Sequence, residues 1–185
     1  VRPAPGRWNH PPVPTRLDLL RNQLDLTWSL LEYHLDRLDP DDLLWEPGPL
    51  CWTVRPRPDG TWVPDWSDEE PDPIPVPTGA WLTWHIGWWW STALDHARGH
   101  PPRDRADVTW PGHTAAAVHW LRDLHAAWVD VLDGLTDDTL DAPAPFPWPP
   151  GSDRTVADMA AWVTAELMKN AAELGQLRLL RAAVS

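Results

Sequence analysis

Glu166 and Asn170 stand four positions apart in a stretch whose other inward positions are apolar. The series Val163, Leu167, Asn170, Leu174 recurs at helical spacing, and Asn170 is its polar member. Glu166 lies one turn before Asn170, and Glu173 about one turn after it. The i, i+4 relation puts Glu166 and Asn170 on one helix face, close enough to share a ligand. His85 is the third candidate. It sits among Trp81, Leu82, Trp84, Trp88 and Trp89, so apolar surface surrounds its imidazole on nearly every side. Residues of these three types, directed into one space between helices, can hold a metal ion. They also suit plain packing, with His85 satisfied in a core, Glu166 solvated or paired with an arginine such as Arg178, and Asn170 fixing helix contacts by hydrogen bonds. Spacing leaves both readings open. His34 and His125 border two other helical stripes, as accessory ligands or as edge residues.

Other chemistries find less support. There is no Gly-x-Ser-x-Gly elbow and no glycine-rich phosphate loop. Cys51 adjoins Trp52 without an evident His partner and reads as a small hydrophobe rather than a nucleophile. A lone cysteine excludes an internal disulfide, which suits a reducing cytoplasm.

Four helices must position these residues. Leu17, Leu20, Leu24, Trp28, Leu31, Leu35 and Leu38 mark the first, with Thr15 as N-cap and Pro40 beyond its end. The second runs from about Thr78 to Ala97 and stops at Gly99. The third runs from about Thr114 to Gly134. The fourth opens at Thr155-x-x-Asp158, a capping-box variant. One apolar stripe per helix predicts an all-α, up-down-up-down four-helix bundle. Residues 1–14 are expected to be a flexible N-terminal arm and 15–185 a single domain. Residues 40–78 form a long Pro- and Trp-rich loop between the first two helices, in which Trp45, Trp52, Trp62 and Trp66 can act as pins. A short hairpin is expected around Asp59–Gly60.

The formal net charge is −12, with acidic clusters at 39–42, 68–70 and 137–138 and no basic stripe. Phosphate contacts dominate nucleic-acid affinity, so no nucleic-acid partner is expected. The most apolar segment, 79–94, is shorter than a membrane span and contains His85, so no membrane partner is expected either. No secretory leader is evident, and a cytoplasmic location is expected. The sixteen tryptophans leave a further possibility, a partner-binding module that uses them as anchors.

Several segments together resemble the DinB-like superfamily. These are 17–38, Leu43-Leu44-Trp45-Glu46-Pro47, Cys51-Trp52-Thr53-Val54, Trp84-His85-Ile86 and the closing run 162–174. The resemblance covers nearly all of 15–182. It implies a four-helix bundle holding a divalent metal between helices, through one His of the second helix and a pair spaced i, i+4 on the last. Carried onto this sequence, His85 matches the first ligand and Glu166 the second, while Asn170 stands where a His is expected. The superfamily includes mycothiol-dependent maleylpyruvate isomerase and other thiol S-transferases, and dimers are common in it. The resemblance therefore implies a metal-dependent enzyme with a degraded ligand set, binding Zn or Ni and a low-molecular-weight thiol cosubstrate of the mycothiol type. The alternative is a non-catalytic member without metal that binds a small molecule in the inter-helix pocket or acts as a homodimer. A carboxamide oxygen is a poor substitute for imidazole on either metal, which weighs for the alternative.

Overall fold

The computed structural model describes residues 13–184. Most of the expected N-terminal arm lies outside that range. Four long helices carry the fold: α1 (Arg16–Leu35), α2 (Gly79–Ala97), α3 (Thr114–Asp133) and α5 (Val156–Val184). A single turn, α4 (Asp137–Leu140), precedes the last of them. The chain is thus mostly helical, but it is not purely so. Cys51–Trp52 (β1) pairs in parallel with Val76–Pro77 (β4), and Val54–Pro56 (β2) pairs antiparallel with Trp62–Pro64 (β3). The β2–β3 ladder turns at Asp59–Gly60, where Gly60 takes a φ of +85°.

The helix ends follow local chemistry. Thr15 and Asp18 form a capping box on α1, and Thr155 and Asp158 exchange the same pair of bonds ahead of α5. Thr78 caps α2 by accepting from the Trp81 amide. His113 caps α3 through its ring, Nδ1 accepting from the Ala116 amide at 3.2 Å. Histidine is not among the usual capping residues.

Helix directions differ from the expected up-down-up-down order. Arg21, early in α1, pairs with Asp133 at the end of α3, and Arg122, early in α3, pairs with Asp36 just beyond α1. These two helices are antiparallel. Arg16 at the start of α1 pairs with Asp141 in the loop that leads to α5. His34, near the end of α1, packs against Gly175 of α5 and accepts a hydrogen bond from Arg178. So α1 and α5 run in the same direction. Gly79 at the start of α2 abuts Leu174, and Trp89 bonds Asn170, while His96 near its end shares a cavity wall with Met159 and Ala160. This makes α2 antiparallel to α5.

The order is therefore up-down-down-up. The cause is the connection 98–113, which Pro101 and Pro102 keep from continuing as helix. It returns along α2, where Trp84 Nε1 donates to the Val108 carbonyl (2.7 Å) and Trp110 Nε1 to Thr83 Oγ1 (3.0 Å). α3 then starts beside the start of α2, and Thr114 Oγ1 donates to the Pro40 carbonyl at 2.6 Å.

Nearly every residue of α2 is buried, apolar or not. Such a helix needs cover on all sides. α3 and α5 supply two sides and the 36–78 connection a third. Trp52 stacks on Trp81 (5.3 Å between centroids), Trp66 meets Trp88 edge-on (5.4 Å), and Trp62 meets Trp110 (5.6 Å). Three of the four expected pins thus hold that connection against α2 and the 98–113 segment. None of the described tryptophans is fully exposed. No helix among the described residues is long and apolar enough to cross a membrane.

Candidate functional site

The antiparallel packing of α2 on α5 brings His85, Glu166 and Asn170 to one place. His85 lies on the helix face toward α5, its ring stacked on Trp81 (5.0 Å, 10°). A cavity of about 290 Å³ opens beside it. Trp88 and Trp89 of α2, Trp162 of α5 and Phe146 of the 141–155 loop wall this cavity, and Glu166, Lys169 and Thr92 complete its lining. Phe146 comes from a proline-rich loop whose sequence carries no sign of a site. It is placed by stacking on His96 and meeting Trp162 edge-on.

Asn170 is 1% exposed, and both ends of its carboxamide are engaged. Trp89 Nε1 donates to its Oδ1 at 3.2 Å, and its Nδ2 donates to Glu173 Oε2 at 2.9 Å. Glu166 is paired with Lys169 rather than with an arginine, Oε2 lying 2.7 Å from Nζ. Burial first, and the Lys169 cation second, push the His85 pKa down to about 4; Glu166 and a hydrogen bond with Asn170 act the other way. The imidazole is therefore neutral at pH 7. Its Nδ1 is buried with no hydrogen-bond partner.

Neither accessory histidine lines this cavity. His34 is held between Arg178 and Gly175. His125 stacks on Trp28 at 4.1 Å between centroids and 6°. The Cys51 thiol bonds the Gly48 carbonyl at 2.9 Å.

The DinB superfamily model matches residues 23–174, most of the chain. The chain belongs to the DinB superfamily. No curated protein matches it. In this DinB protein His85 and Glu166 line one pocket and Asn170 is buried next to it, but as a donor set for a transition metal the three do not fit. Among the described residues no three His, Cys, Asp or Glu side chains are grouped to hold an ion. The third position offers a carboxamide whose oxygen already accepts from Trp89. The carboxylate already carries an ammonium partner. Glu173 does not repair the set, since its carboxylate is engaged with the Asn170 amide.

Proposed function

We propose that this chain is a small-molecule-binding member of the DinB superfamily whose inter-helix pocket works without a resident transition metal. One observation carries the reading: the Lys169 ammonium lies against Glu166, where a metal-binding relative would need a free carboxylate. The ammonium there competes with any other cation for the carboxylate and supplies the neutralising charge the carboxylate needs. The pocket keeps the other attributes of a ligand site, being concave, largely aromatic and furnished with a few polar groups.

Metal analysis of untagged protein, produced with zinc and nickel supplements, tests this. Metal below about a tenth of an equivalent supports the reading, and close to one equivalent overturns it. The orphaned Nδ1 of His85 favours a second reading, a Zn- or Ni-dependent thiol S-transferase with His85 and Glu166 as ligands. The same measurement separates the two.

A further inference from the structure

The shape of the aromatic walls bears on what the pocket takes, granted the metal-free reading above. Trp89 and Trp162 meet at 73° with centroids 5.6 Å apart, and Trp162 and Phe146 meet at 85° and 5.2 Å. A flat aromatic guest stacks best in a slot between parallel plates. Rings meeting near right angles form a corner instead, and a corner suits a compact, rounded group. The negative quadrupole of an aromatic face selects a positive one.

Charge points the same way. Among the described residues Glu166 is the sole acidic one lining the cavity, and its side chain is 25% exposed. The chain already seats an ammonium on it, that of Lys169. The Lys169 side chain is 50% exposed, so it can turn into water when another cation arrives. A carboxylate ligand drawn to Lys169 would instead have to approach Glu166. The net charge of −12 further raises the local concentration of cations.

We propose that the pocket binds a compact organic cation bearing a methylated ammonium group. The charge rests on Glu166, and the methyl groups lie against Trp89, Trp162 and Phe146. Lys169 is an internal competitor for the same carboxylate.

Choline is a suitable probe, titrated by calorimetry into chelator-treated full-length protein. Its neutral isostere 3,3-dimethylbutan-1-ol and the flat anion benzoate serve as controls. Choline is expected to bind about tenfold or more tighter than the isostere. Glu166→Gln weakens choline by about tenfold and leaves the isostere unchanged, whereas Lys169→Met tightens choline several-fold. A residue with only a structural role would not produce opposite shifts from these two neighbours. Equal affinity for choline and isostere, preference for benzoate, or no choline binding by folded protein overturns the proposal. Failure of the underlying reading shows differently, as about one equivalent of bound metal and choline affinity that changes on chelation.

Discussion

Lys169 and Glu166 sit one turn apart on α5 with Nζ 2.7 Å from Oε2, beside an imidazole that is neutral at pH 7. The pair makes the pocket electrically self-sufficient. A divalent ion entering it meets one cation already in place and, at Asn170, a carboxamide whose oxygen already accepts from Trp89.

Both obstacles can be removed by substitution. Asn170→His alone is expected to give weak zinc binding, and Asn170→His with Lys169→Met to bind at least about tenfold tighter. Competition against a chromophoric chelator measures both. Equal affinities would mean that Lys169 has no influence on the ligand set.

Asn170 also has a structural duty. Asn170→Leu leaves the buried Trp89 indole N–H without its acceptor, at a cost of about 1–3 kcal/mol in urea-unfolding stability. Trp89→Phe in the Asn170→Leu background removes that stranded donor. The double variant should therefore lose less than the sum of the singles, and strict additivity would refute the coupling.

His85 gives the protein a defined acid sensitivity. Above about pH 6.5 the imidazole is neutral in both folded and unfolded chains and has no effect on stability. Between 6.5 and about 4 only the unfolded chain takes up the proton, so stability falls as the pH falls. Below about 4 the loss, on the order of 3 kcal/mol, is complete. Urea midpoints of the native protein and His85→Leu across this range isolate the effect from that of the carboxylates. Parallel pH profiles would rule it out.

Two helical glycines are close-approach points. A Cβ at Gly87 would run into the Trp120 ring, and one at Gly175 into the His34 imidazole. Each Gly→Ala change is expected to destabilise by about 1–3 kcal/mol despite the better helix propensity of alanine. Thermal unfolding checks this, and stabilisation by either change would show that the ring moves aside freely.

The helices and their caps were legible because the signals are local. Apolar spacing marked α1, α3 and α5, Thr15 and Thr155 announced the starts of α1 and α5, and Thr78 that of α2. His85, Glu166 and Asn170 were legible as inward polar groups, and they do meet. Helix order was not legible. Nothing local in 98–113 says that the segment returns along α2; that depends on Trp84 and Trp110 finding acceptors far away in sequence. The partner of Glu166 was also misassigned. Lys169, the one lysine of the chain, is only three residues away, and i, i+3 spacing alone would have suggested it. Phe146 could not be found at all, since its place depends on tertiary contacts with His96 and Trp162.

The parallel neighbours α1 and α5 carry a cost during synthesis. Until residues 156–184 have left the ribosome, the apolar flank of α1 has no lasting cover, and neither does the side of α2 that carries His85 and Trp89. Productive folding must wait for α5. Such dependence on contacts distant in sequence slows collapse to the native state.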